Sequence, residues 1–164
     1  MDALIQSIEE YLTGINPSFG TFLISLIPII ELRGAIPVGI ITCKLNWLWV
    51  YFICVVGNCL PVPFVIRIIR PMIEWLLKSR LFKPIGQWLQ KRTEKKTKSV
   101  TKYKKLGLLI FVALPLPGTG AWSGAMIAGM MNMRIKDAAP AIVGGVAIAG
   151  VIMVVISKFF QYLL

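Results

Sequence analysis

Residues 45–66 run for a full 22 positions without a charged side chain. At ~1.5 Å per residue, a helix of that length crosses a ~30 Å hydrocarbon core. Residues 138–157 offer a second such span. Two further apolar stretches are too long for one crossing. Residues 11–43 are interrupted only by Glu31 and Arg33, and residues 106–133 by no charge at all. As unbroken helices they would reach ~50 and ~42 Å. Both carry breakers near the middle: Pro28, Gly34 and Pro37 in the first, then Pro115, Pro117, Gly118 and Gly120 in the second. Proline removes a helix donor and clashes with the preceding turn, while glycine tolerates backbone that other residues avoid. Each stretch is therefore expected to form two half-helices joined by irregular backbone. At membrane depth such backbone survives only when buried in protein or lining a wet cavity. The alternative is a tilted span with a proline kink.

Composition narrows the class. Of 164 residues, 57% are hydrophobic and 15% charged, against about 25% charged in soluble domains. A soluble chain this small has too little interior for that much apolar surface, and the same figures exclude disorder. The chain has no histidine, which excludes imidazole metal sites and histidine-based catalysis. Cys43, Cys54 and Cys59 sit in or beside apolar runs and read as small buried hydrophobes. No metal and no cofactor is expected.

The net charge of +11 is concentrated in one place. Residues 67–105 hold thirteen basic and two acidic side chains, and the rest of the chain balances to zero. Between apolar runs, such a block reads as a cytoplasmic loop obeying the positive-inside rule rather than as a nucleic-acid patch. Contact with anionic headgroups is its secondary reading. Apolar clusters at 73–77, 81–82 and 85–89 alternate with lysine and arginine, the pattern of an interfacial amphipathic helix broken at Pro84. The N-terminus, with Asp2, Glu9 and Glu10 and no basic residue, resembles neither a signal nor a transit peptide.

The chain also repeats at an offset of 87, which lays Gly20 on Gly107, Pro28 on Pro115 and Gly57 on Gly144. The expected fold is an all-α integral membrane protein forming a single domain over 1–164. It would comprise two inverted repeats (19–77 and 106–164), each a re-entrant helical hairpin followed by a transmembrane helix. A basic amphipathic connector (78–105) would join them in the cytoplasm, with both termini outside. Full spans in place of hairpins would instead make the halves parallel.

Glu31 and Arg33 are the foremost site candidates, because an ionisable group at mid-membrane depth costs ~2.5–3.5 kcal/mol on insertion scales. A carboxyl that changes protonation state in a dry site is how proton coupling is built. Residues two apart do not face each other on a helix, so a direct pair would need the irregular backbone expected between Pro28 and Gly34. The Pro115–Trp122 segment, a glycine-rich turn entering a helix, offers exposed N–H groups of the kind that transporters aim at substrates. Asn58 is a polar residue within an apolar span, facing either a pore or another helix. Small residues at four-residue spacing, Ala35/Gly39, Gly120/Gly124, Ala125/Gly129 and Ala141/Gly145, allow close helix contact. Trp47, Trp49 and Tyr51 resemble an aromatic belt.

Residues 31–37 (ELRGAIP) and 114–122 (LPLPGTGAW) closely resemble the family named for small multidrug export, over nearly the whole chain. That family in turn resembles a distant branch of the DedA superfamily, whose members are thought to hold two inverted re-entrant hairpins, each followed by a transmembrane helix. Several of them move lipids or undecaprenyl phosphate. The resemblance would match Glu31 to the acidic residue of the first hairpin, and Pro117 and Gly118 to the Pro-Gly of the second. DedA proteins place arginines around that Pro-Gly, whereas Leu114 and Gly120 stand here, leaving Arg33 the one cation clearly within a hairpin. The expected function is a transporter, not an enzyme, in the plasma membrane, moving a lipid-linked phosphate or a small amphipathic substrate, with proton coupling open to it. Proton-coupled export of lipophilic cations and a non-transporting scaffold are the alternatives. The expected partners are the lipid bilayer, the substrate and a second copy of the chain in a homodimer, with no nucleic acid.

Overall fold

In the computed structural model, residues 16–78, 100–116 and 118–163 are described. The expectations for residues 1–15, for Pro117 and for the helix break at Pro84 lie outside them. Helices make up every regular element among the described residues.

Helix α1 (Pro17–Leu26) starts where the Asn16 side chain accepts from the Ser18 and Phe19 N–H groups (3.0 and 3.3 Å), with proline in the first turn, where its missing donor does no harm. It ends because Pro28 forces the preceding Ile27 into extended backbone (φ −72°, ψ 126°). After a tight turn, α2 (Glu31–Pro37) runs back along α1, placing Gly39 against Thr21. Pro37 cannot donate, and the helix widens into a π-helical turn, Val38–Thr42, closed by the Cys43 N–H on the Val38 carbonyl (2.9 Å). Lys44 in left-handed backbone (φ 51°) then ends the arm. Asn46 caps α3 (Trp47–Cys59), and α4 (Val62–Lys78) continues past a break at Leu60–Pro61.

Helix α5 (Val100–Ala113) stops before Pro115, and a seven-residue loop, 114–120, leads into α6 (Ala121–Met130). Gly124 of α6 packs on Val112 and Leu108 of α5, so these two helices also form an antiparallel hairpin. Asn132 in left-handed backbone (φ 52°) ends this arm, as Lys44 ends the first. Helix α7 (Ile135–Leu163) has 29 residues and a length of ~43 Å.

Helix α7 is the axis on which α5, α3, α2, α6 and α4 pack. Polar contacts fix its two ends. Near its start, Asp137 pairs with Lys105 at the open end of the second hairpin (2.7 Å). Near its finish, the Gln161 side chain donates to the Ile40 carbonyl at the open end of the first hairpin (3.3 Å), and Lys158 lies over the Trp47 ring. The open ends of the two hairpins therefore sit at opposite ends of α7, and their tips point at each other. Between these ends α3 runs antiparallel to α7, its Tyr51 hydroxyl donating to the Ala147 carbonyl (3.2 Å).

Ile24, Leu32, Ile36, Val50, Ile66, Val112, Ile142 and Val146 are buried between these elements. Every member of the four expected small-residue pairs is buried, and Gly145 sits directly on the Leu109 carbonyl and Val112. Much of the outer surface is apolar as well. Leu48, Phe52, Val56, Leu60, Phe64, Ile68 and Met72 recur every fourth residue and all are exposed. In water, an apolar stripe of that length would be a liability. Trp47–Ile69 (mean hydropathy 2.1) and Ile135–Leu163 (2.5) are each long and apolar enough to cross a bilayer. Trp47 and Trp49 of the expected aromatic belt face outward, while Tyr51 turns inward.

Gly57 and Gly145 occupy matching places, the first against Phe22 and Ser25, the second against Leu109 and Val112. Gly57→Ala and Gly145→Ala are each expected to destabilise the protein by about 1–3 kcal/mol through overpacking. Gly107→Ala, whose added methyl would meet nothing within 4 Å, should be neutral or slightly stabilising. Thermal unfolding of the three variants in detergent checks the ordering.

Candidate functional site

The hairpin tips meet at Glu31 and Arg33. Glu31 is the first residue of α2 and is held in left-handed backbone (φ 53°), with its N–H on the Ile27 carbonyl (2.9 Å). That conformation strains a residue with a Cβ by about 1–3 kcal/mol. Its carboxylate lies across the gap, where Oε1 accepts the Trp122 backbone N–H (3.2 Å) in the first turn of α6. The residue before that helix is Gly120, which has no side chain to cap it. Glu31 thus acts as the cap of a helix 90 residues further along the chain, setting a negative charge at the positive pole of α6.

Gly120 makes this approach possible. A methyl group there would collide with both Glu31 carboxylate oxygens. Its φ of −169° is open to any residue, so close contact demands the glycine.

Arg33 binds the opposite pole. Its guanidinium donates through Nη1 to the Leu116 carbonyl and through Nη2 to the Leu114 carbonyl (3.1 Å) and the Thr119 hydroxyl oxygen (2.8 Å). Leu114 and Leu116 follow the last turn of α5, and their carbonyls also accept the Leu116 and Thr119 N–H groups within the loop (2.8 and 3.1 Å). The Thr119 hydroxyl lies 2.6 Å from the Leu114 oxygen and 2.9 Å from the Leu116 oxygen and donates within this pair. Gly118 (φ 82°) supplies the left-handed turn that brings Thr119 back. Acid and base therefore make no ion pair with each other. Each holds one pole of the facing hairpin, and both are carried by the second hairpin's backbone.

The sequence-selected residues divide accordingly. Glu31, Arg33, Gly118 and Gly120 converge on the junction, and Pro28 and Pro115 end the helices that lead to it. Gly34, packed on Ile30, and Pro37 lie further down the returning arm. Asn58 is buried on α3, and neither its amide nitrogen nor its oxygen has a partner among the described residues. Thr119 and Trp122, quoted in the sequence only as part of a turn, are the residues that Arg33 and Glu31 actually bind.

Arg33→Lys is expected to lower stability by about 1–3 kcal/mol, because an ammonium group cannot reproduce a planar fork over three acceptors. Thr119→Val should cost less, since Arg33 keeps both carbonyls. Thermal unfolding in detergent measures both, and an unchanged midpoint for Arg33→Lys would contradict the cross-tip role.

No curated protein and no solved structure matches the chain. A known family does match, over residues 31–152. The match opens on Glu31 itself, just past the turn of the first hairpin, and takes in α2, the second tip, α3, α4 and more than half of α7. Its description is "Putative small multi-drug export protein", the name of a transporter family, and to this family the chain belongs.

Proposed function

We propose that the chain exports a small amphipathic molecule through the junction of two re-entrant hairpins, with the charge state of Glu31 governing whether the tips are locked. The observation that carries this reading is the Glu31 carboxylate on the first turn of α6. Protonation removes the charge that strengthens this bond and leaves the pole of α6 uncapped. The tips then part more easily, which couples proton uptake to opening.

Several features support the membrane frame. The arms of α1 and α6 have ten residues each and reach ~15 Å, half of a ~30 Å core. With their open ends at opposite ends of α7, such arms would enter from opposite faces and meet near the midplane. The halves also match by position: α1 ends at Leu26 and α5 at Ala113, left-handed Lys44 corresponds to Asn132, and α3 begins at Trp47 where α7 begins at Ile135. The offset is 87 before the tips and 88 after them, so Gly57 pairs with Gly145 rather than with Gly144. The basic segment between the halves would face the cytoplasm under the positive-inside rule. Two crossing helices and two hairpins make a thin wall for a polar path, which favours a homodimer.

Arg33 weighs against a lipid-phosphate cargo. Its donors already serve Leu114, Leu116 and Thr119, which leaves it poorly placed to receive a phosphate. A lone acid suits an amphipathic cation moved against protons.

Purified protein in liposomes with an imposed proton gradient is expected to move a lipophilic cation, and Glu31→Gln to abolish the gradient-driven flux. Survival of flux in both Glu31→Gln and Arg33→Ala would overturn the junction as the pathway. Absence of any flux of cations, drugs or lipids in the wild type would favour a scaffold. Cysteines introduced at positions 3, 96 and 164 test the frame, since inverted hairpins put the first and last on the side opposite the middle one. Crosslinking in membranes that yields only monomer would refute the dimer.

A further inference from the structure

Polar side chains buried within this fold mostly satisfy themselves. The Thr21 and Ser25 hydroxyls donate to the Pro17 and Phe22 carbonyls of their own helix (2.7 and 2.6 Å), and Ser157 does the same with Met153 (2.7 Å). Asn58 and Trp122 break the rule. Both polar atoms of the Asn58 amide, on a residue 1% exposed, and the Trp122 indole Nε1 are buried without a partner among the described residues. An amide or indole N–H left unpaired in an apolar interior is disfavoured by about 1–3 kcal/mol, and such groups in folded proteins are usually met by ordered water or a ligand.

Both groups lie at the level of the tip junction. Trp122 is bonded through its backbone N–H to Glu31, so its indole is within one side-chain length of the carboxylate. Asn58 is placed by its neighbours: Gly57 packs on Phe22 and Ser25, at the tip end of α1. Ile66 and Ile69 pack on Gly129 of α6. Helices α3–α4 and α6 run toward the same end of α7, so stepping back along both from that contact at ~1.5 Å per residue brings Asn58 level with the start of α6.

We propose that Asn58 and the Trp122 indole line an internal water site beside Glu31, and that this site is the route by which the carboxyl exchanges its proton with the aqueous phase. The inference rests on the transport reading for its purpose, though not for its test. Water there accepts from the indole N–H and bonds to both ends of the amide. In the exchange step a hydronium gives one proton to Glu31 Oε2, the oxygen that does not hold Trp122. One O–H bond breaks, one forms, and a neutral water and a neutral carboxyl remain. Arg33 is the charged neighbour of Glu31, and α1 and α6 carry no ionisable side chain.

The fold supplies its own dry control. Cys54 lies one turn before Asn58 on the same buried face of α3 and is 0% exposed. In a Cys43→Ser, Cys59→Ala background, Asn58→Cys should react with a small water-soluble methanethiosulfonate at least about tenfold faster than Cys54, because only a hydrated thiol ionises to the reactive thiolate. Equal, slow labelling of the two positions would overturn the proposal. Asn58→Leu provides a second readout. A dry site predicts a raised melting temperature on removal of an unpaired amide, and that result also overturns the proposal. An unchanged or lowered midpoint, with Trp122 of the wild-type protein modified readily in hydroxyl-radical footprinting, supports it. Wild-type liposomes that move no substrate would sink the transport reading and leave these labelling results standing.

Discussion

Inside a bilayer, the polar groups at a helix end have nowhere to go but onto the protein itself. A helix that crosses the membrane escapes the problem by ending in the headgroups. A hairpin that turned back halfway could not, and it would leave two helix poles at the worst depth. This chain satisfies one pole of each sign on the second tip with a single tripeptide of the first: the Glu31 carboxylate at the start of α6 and the Arg33 guanidinium past the end of α5. Two side chains that would each be costly alone in hydrocarbon become the partners of backbone that would be costly without them. The left-handed backbone at Glu31, the bare Gly120 and the returning Thr119 are all consequences of making that exchange fit.

Much of the scaffold was legible in the sequence because its causes are local. Pro28 and Pro115 end helices through their own missing donors and through the residue before them, and those effects act within one or two positions. The length of the apolar runs required two halves in each long stretch. If the two halves pair as proposed, the offset of 87 read from the sequence differs by one residue from the spacing of the elements beyond the tips. The second tip loop, 114–120, is longer than the turn at 27–30, and part of that insertion is absorbed by a later start of α6, so the register slips from 87 to 88 beyond the tips. The gapless comparison lays Gly57 on Gly144, whereas the glycine that packs on a carbonyl of α5, as Gly57 packs on one of α1, is Gly145.

The site itself was legible only in part. Charge at membrane depth singled out Glu31 and Arg33, and glycine content singled out the second tip. What each would bind was hidden, because the partners, apart from the Thr119 hydroxyl, are backbone atoms more than eighty residues away and carry no residue-type signal. Thr119 and Trp122 gave little warning for the same reason. One serves through a hydroxyl that folds back on its own loop, the other through an N–H that every non-proline residue has. Asn58 stood out as polar in an apolar run, but an inter-helix hydrogen bond and an open polar site look alike until its neighbours are known.

The two locks differ in kind, and the difference bears on how the junction can move. Arg33 keeps its charge at any physiological pH and grips three acceptors on one short loop, so it behaves as a permanent strut between the tips. Glu31 makes a weaker attachment through a single N–H, and a proton can weaken it further. In the export cycle proposed above, opening would begin at the α6 side and pivot about the arginine, rather than separate the tips evenly. A pivot of this kind exposes Gly120 and the first turn of α6 while the carbonyls of the α5 side stay covered. In that proposal one hairpin pole would become available to a passing molecule while the other stayed closed, because the two tips carry different residues.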